Sequence, residues 1–318
     1  MGKRVRLCPE ITDPGLRSFL NTVPAIRSFQ TELVMAQPRF GKNHTVALAG
    51  REITVCMHMA QGVRPVIFEF HGGGFVFGNA EKDDRICQKL HKTLDCHVIG
   101  VNYRLAPEHP YPAAFDDAYD IIAYFHSHAA QYGIDPGKMA VMGYSGGATL
   151  ATAVAIKCRR EGTFSLCGQV LHYPYLDSVH LPQEKKHYDC DMDAEVMRAF
   201  TVLYSKEEER SLSYVSPVCA AREELAGTAP ACILPAECDA LKEEGILYAK
   251  MLKDAGVPVY CQVMPDVHHG YVEDAACEAA YQASAEDTQA LHSPYFRDWA
   301  GAALDISCTF FKRCFDGD

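Results

Sequence analysis

A serine set between glycines and a separate run of three glycines behind a histidine are the residues of this chain whose types and spacing could do chemistry. The segment Gly143-Tyr144-Ser145-Gly146-Gly147 has the form of a nucleophile elbow. An apolar, strand-like run from Lys138 to Met142 leads into it, and a small-residue helix pattern from Gly147 to Ile156 leaves it. Ser145 would then stand on a sharp strand-to-helix turn, with Gly143 and Gly147 relieving the crowding around it. The second motif, His71-Gly72-Gly73-Gly74, ends another apolar run, Arg64 to Phe70. Glycines at such a junction let consecutive amides point at a developing negative charge. An activated serine and a bed of N–H donors are the two halves of an acyl-transfer site.

A serine hydroxyl is a weak nucleophile until an imidazole removes its proton, and the imidazole needs a carboxylate to fix its tautomer and stabilise its charge. Asp239 follows the apolar run Ala231 to Ala236, and the pair His268 and His269 follows Pro258 to Met264. Both fall at the carboxyl edge of a parallel sheet, the edge that carries Ser145. Asp239 could also cap the helix expected over Leu241 to Ala255, which leaves Glu243 as a rival carboxylate.

Asn102-Tyr103-Arg104-Leu105-Ala106-Pro107-Glu108-His109-Pro110-Tyr111-Pro112-Ala113-Ala114 and Ala236-Glu237-Cys238-Asp239-Ala240-Leu241-Lys242-Glu243-Glu244-Gly245, together with the two glycine motifs, resemble the hormone-sensitive-lipase-like branch of the α/β-hydrolases. That group contains acetyl esterases and carboxylesterases. The resemblance implies a mostly parallel eight-stranded sheet flanked by helices, under a discontinuous helical cap. It implies a triad of Ser145, Asp239 and His269, the base standing just before Gly270-Tyr271, and oxyanion donors at the amides of Gly73, Gly74 and Gly146. His71 and Tyr144 are read as supporting residues, His71 bracing the glycine loop by hydrogen bonds. Arg104, Glu108 and His109 are read as a buried polar network behind the site. Tyr144 departs from the family, which places Asp or Thr before its nucleophile, and Gly146 stands where Ala is usual.

The elements that must position these residues alternate in type. A hairpin is expected from His44–Leu48 and Glu52–Met57 through Ala49-Gly50-Arg51, and further strands over Cys96–Val101 and Gln169–Tyr173. A helix from Pro112 to His126 turns Phe115, Ala118, Ile122 and Phe125 to the sheet. The catalytic domain is expected over 43–318. Residues 1–42, helical in pattern with Pro14 and Pro24, and an insertion at about 181–213 containing a helix from Ala194 to Tyr204 would form the cap. After His269 come 49 residues, read as an added helical piece from Glu273 to Leu291 and a closing helix from Arg297 to Cys314.

A net charge of −11 and no basic stripe exclude nucleic acid as a partner. No apolar run long enough to span a bilayer or to serve as a signal peptide is present, so no membrane is expected and the cytoplasm is the default. The 14 cysteines lie scattered through strands and helices without C-x-x-C spacing. They read as reduced thiols, with no metal and no cofactor. The sequence leaves open whether the chain forms a homodimer. The leading reading is a serine carboxylesterase acting on small, short-acyl esters. An amidase or peptidase, or a carbohydrate acetyl esterase, would use the same triad. A non-catalytic receptor, as the plant gibberellin receptors are in this family, is the remote alternative; those have lost the base that His269 supplies here.

Overall fold

The structure is a computed structural model and describes residues 13–188, 192–277 and 295–317. Ten strands and ten helices alternate along them. After helix α1 (Pro14–Met35) come β1 (Lys42–Leu48), β2 (Arg51–His58), β3 (Arg64–Phe70), α2 (Asp84–Leu94), β4 (His97–Val101), α3 (Ala113–Ser127), the short α4 (Ala129–Tyr132), β5 (Ile134–Tyr144), α5 (Gly146–Glu161) and β6 (Gly168–His172). Then follow α6 (Ala194–Tyr204), the short α7 (Arg222–Leu225), β7 (Ala231–Leu234), β8 (Ala236–Cys238), α8 (Lys242–Asp254), β9 (Val259–Cys261), β10 (Met264–His268), α9 (Tyr271–Ala276) and α10 (Phe296–Asp316). Eight strands form one sheet in the order β1-β2-β4-β3-β5-β6-β7-β9, antiparallel in its first two pairings and parallel thereafter.

Alternate residues of the central strands feed two cores. Val66, Phe68 and Phe70 of β3 and Met139 and Val141 of β5 pack on one face with Phe115, Ala118, Ile122 and Phe125 of α3 and with α5 and α8. Ile67, Ala140, Met142 and Val170 pack on the other face with Ile86 and Leu90 of α2 and with Leu304, Cys308 and Phe311 of α10. Burial on both faces is what makes these strands read as continuous apolar runs.

Several expectations are corrected in detail. The run from Ala231 to Ala236 is not one strand: Pro235, which has no N–H to give the ladder, separates β7 from β8. The latter pairs with β10 in a two-stranded parallel sheet of its own. Arg104, Glu108 and His109 do not form a buried network, since Glu108 and His109 are exposed. Arg104 instead binds the buried Asp117 through Nε at 2.8 Å, and Asp117 also takes Arg51 at 2.6 Å. Glu108 accepts from Arg27 of α1 at 3.0 Å. Of the expected helical piece from Glu273 to Leu291, only the end of α9 is described; 278–294 lie outside the described residues.

Helix α1 is continuous through Pro24, with Asp13 capping Gly15 and Leu16 and Pro14 in the first turn, where its missing N–H loses nothing. It packs Leu16 and Val23 with Val76 and Phe77 of the glycine-loop segment and with Phe200 and Leu203 of α6. Arg198 of α6 donates to Asp13 at 2.6 Å. No helix among the described residues is long and apolar enough to cross a membrane. Of the 12 described cysteines, 7 are buried.

Candidate active site

Ser145 sits between β5 and α5 with φ 51° and ψ −119°, a left-handed conformation that an L-residue holds only where its surroundings force it. They do so here. Its N–H donates to the His172 carbonyl at 3.1 Å, and its carbonyl accepts from Ala148 at 3.0 Å and Tyr175 at 3.2 Å. The turn is tight enough that a Cβ on Gly143 would strike the Gly147 carbonyl, and one on Gly147 would strike the Phe70 carbonyl. Only glycine fits either place.

The β10 end and the loop after β8 bring two further groups to this turn. His269 places Nε2 2.9 Å from Ser145 Oγ and Nδ1 2.9 Å from Asp239 Oδ2. Asp239 is 2% exposed, and its other oxygen accepts from the Leu241 amide at 2.9 Å, which fixes the carboxylate plane. With Asp239 accepting at Nδ1, the imidazole carries its proton there and leaves Nε2 free to take one. The rivals lie elsewhere. His268 faces the Cys238 carbonyl at 3.2 Å, and the Glu243 side chain is 70% exposed on α8.

The glycine loop leaves β3 with positive φ at Gly73 (121°) and Gly74 (59°). The Gly73 carbonyl accepts from Val76 and Phe77 at 3.1 and 2.8 Å, closing the loop on itself. Gly74 lines the cleft with Ser145, His269, Leu241, Tyr175, Met192, Met197 and Phe200. A Cβ on Gly74 would run into the Phe200 ring. Gly146 opens α5, whose positive end adds to the field at Ser145. The free volume of the cleft is about 20 Å³, roughly one water.

His71 is fully buried. Its Nδ1 donates to the Gly72 carbonyl at 2.8 Å, and its ring stacks on Tyr103, centroids 4.2 Å apart. The Tyr103 hydroxyl donates to the His71 carbonyl at 2.7 Å. Burial lowers the His71 pKa to about 4, so the ring is neutral. Tyr144 points away from the cleft into the opposite core, stacked on His172 at 5.0 Å.

Behind the glycine loop lies a group of charges that sequence reasoning missed. Glu69 and Asp83 are 0% exposed. Burial, then the Asp83 charge, raises the pKa of Glu69, and burial, then the Glu273 charge, raises that of Asp83. The folded chain therefore keeps protons that the unfolded chain releases near pH 4. Stability from this source is fully present below that value and declines as pH rises. Asp83→Asn should flatten the fall of Tm between roughly pH 5 and pH 9; calorimetry showing an unchanged slope would remove these carboxyls as its cause. Glu69 carried a faint signal in the sequence, as one acid inside an apolar strand; Asp83 and Glu273 carried none.

Elsewhere Cys56, His58 and Asp84 bring possible metal-ligand atoms within 4.8 Å of one another. Asp84 is already engaged by the Phe40 and Gly41 amides at 2.7 and 2.8 Å and by His58 at 2.9 Å. Burial alone would raise its pKa, but His58 and those amides outweigh burial and hold it at about 2.

Residues 67–273 match the family described as having the alpha/beta hydrolase fold. The chain belongs to the α/β-hydrolase family. Within it, the chain falls in the hormone-sensitive-lipase-like carboxylesterase branch. This α/β-hydrolase is 32% identical over 312 residues to the carboxylesterase NlhH of Mycobacterium tuberculosis, covering 90% of this chain and 98% of that one. It is 38% identical over 215 residues to the esterase LipI of the same organism, covering 67% of each. Its fold matches the crystallised esterase of the archaeon Pyrobaculum calidifontis with a TM-score of 0.72 at 28% identity, covering 92% of both chains.

Proposed function

We propose that the chain is a serine carboxylesterase acting on small, short-acyl esters through an acyl-enzyme. The observation that carries this reading is the single imidazole of His269 bridging Ser145 Oγ and Asp239 Oδ2 at 2.9 Å each. Ser145 Oγ attacks the ester carbonyl carbon while His269 Nε2 takes its proton, and the carbonyl π pair moves onto oxygen. The amides of Gly73, Gly74 and Gly146 receive that oxyanion. As the carbonyl re-forms, the alkoxide leaves with the proton held by His269, and water, deprotonated by the same nitrogen, then releases the acid. Asp239 holds the tautomer and stabilises the transient imidazolium.

In this reading, α1 and residues 181–213 are the cap, and Phe200, Met197 and Met192 roof the acyl pocket. An apolar pocket gains about 0.8 kcal/mol per methylene that fits and nothing for one that does not. A series of p-nitrophenyl esters should peak in kcat/KM between acetyl and hexanoyl and fall steeply by decanoyl. Phe200→Ala should move the peak to longer chains. An optimum at decanoyl or beyond, or faster turnover of the matching anilides, would overturn the short-acyl esterase reading. Buried thiols such as Cys87 and Cys96 suit a reducing compartment, which supports a cytoplasmic location. A homodimer would use the edge of β9 and the neighbouring α8, where Tyr260, Ile246 and Leu247 are exposed; sedimentation of the purified chain tests it.

A further inference from the structure

Glu273 lies one helical turn beyond His269, on α9, and is 4% exposed. One carboxylate oxygen accepts from the Gly72 amide at 3.2 Å and from Lys82 Nζ at 3.0 Å. The other accepts from the Tyr173 hydroxyl at 3.3 Å. The contact with the loop is close: a Cβ on Gly72 would lie 2.7 Å from one oxygen and 2.9 Å from the other.

Each partner belongs to a different part of the site. Gly72 is the root of the loop that presents Gly73 and Gly74. Tyr173 is held at φ 33° directly after His172, whose carbonyl fixes the Ser145 amide, and the Tyr173 ring meets His269 edge-on at 5.1 Å. Lys82 approaches from the segment before α2. Burial works against its ammonium, but Glu273 and Asp83 outweigh burial and raise its pKa, so it stays charged.

We propose that Glu273, paired with Lys82, is a positioning residue for ester hydrolysis that sets the oxyanion loop in register with His269. The inference rests on the esterase reading above. Oxyanion donors work only where the charge forms, and a displacement of about 1 Å can remove a hundredfold in rate. A carboxylate that spans the loop root, the strand behind Ser145 and the helix behind His269 fixes that distance. It touches no substrate, so its removal should weaken transition-state binding and leave ground-state binding alone.

The test uses the full chain with Glu273→Gln, and a double variant, Lys82→Met with Glu273→Leu, that removes both charges at similar volume, its folding being read from Tm. Four quantities are read: kcat and KM on p-nitrophenyl acetate, affinity for a trifluoromethyl ketone that forms a tetrahedral adduct with Ser145, covalent labelling by a fluorophosphonate, and Tm. We expect kcat to fall by roughly 10- to 100-fold in both variants, with KM within about twofold and ketone affinity falling in proportion to kcat/KM. Labelling should still go to completion. Wild-type kcat in the well-folded double variant, or a loss that follows KM and Tm while the ketone affinity holds, would reduce Glu273 to a core ion pair. Failure of the esterase reading would look different: the parent chain itself would not hydrolyse p-nitrophenyl acetate, or the Ser145→Ala variant would keep the parent's rate.

Discussion

Ser145→Ala should reduce kcat on a short-chain ester by at least roughly 10⁴-fold while the fold and Tm stay close to those of the parent. The hydroxyl is the only atom of that residue that the reaction uses; the contacts that lock the turn come from its backbone, through His172, Ala148 and Tyr175. Alanine keeps all of them. In the proposed mechanism the amides of Gly73, Gly74 and Gly146 would still bind an oxyanion formed by attack of water, so turnover of roughly 10³ over the uncatalysed rate can persist. Labelling by a fluorophosphonate, which needs the serine oxygen, should disappear entirely. Near-parental kcat in this variant would end the assignment of Ser145 as nucleophile, and with it the acyl-enzyme.

His269→Ala should cost a comparable factor, about 10⁴ in kcat/KM, and His268→Ala less than about tenfold. The two residues are adjacent in sequence and opposite in direction. His269 faces both Ser145 and Asp239, whereas His268 faces the backbone carbonyl of Cys238 at the edge of β8. Since a base must be neutral to take the serine proton, kcat/KM of the parent should rise with pH as an imidazole deprotonates. The ranking of the two variants decides the base. If His268→Ala were the more damaging, Asp239 could no longer be the orienting carboxylate in this geometry.

Much of this was legible in the chain, for identifiable reasons. Strands buried on both faces leave continuous apolar runs, so β3 could be read with its ends and β5 from Lys138 onward, its partly exposed start at Ile134–Gly137 being missed. The steric demands of the elbow and the loop left glycines at fixed places. Where sequence reasoning failed, the deciding partner lay far along the chain. Glu108 and His109 look as polar as Arg104, but Arg104 turns to the buried Asp117 of α3, whereas Glu108 and His109 stay exposed and Glu108 meets Arg27 of α1. Glu273 sits in a stretch rich in alanine and acids that resembles any solvated helix. Its burial depends on the glycine loop 201 residues earlier and on Lys82, 191 residues earlier. The division of β7 from β8 was signalled by Pro235, a single residue that an apolar run can hide.

The cleft beside Ser145 is narrow, with about 20 Å³ of room, and Phe200 and Met197 line it. For an acyl chain that needs Phe200 and Met197 to move aside, only the fraction of molecules so opened binds, and the apparent KM is the intrinsic value divided by that fraction. If one molecule in about a hundred is open, KM is raised about a hundredfold while kcat, measured on loaded enzyme, is unchanged. What holds Phe200 down is distant from the chemistry: its edge-to-face contacts with Phe19 and Phe77 at 5.8 and 5.7 Å, and the Arg198 to Asp13 link between α6 and the start of α1. Changes in the first helix would therefore retune how scarce a substrate the enzyme can use, with no alteration at Ser145, His269 or Asp239, so that affinity can drift in evolution while the reaction itself stays fixed.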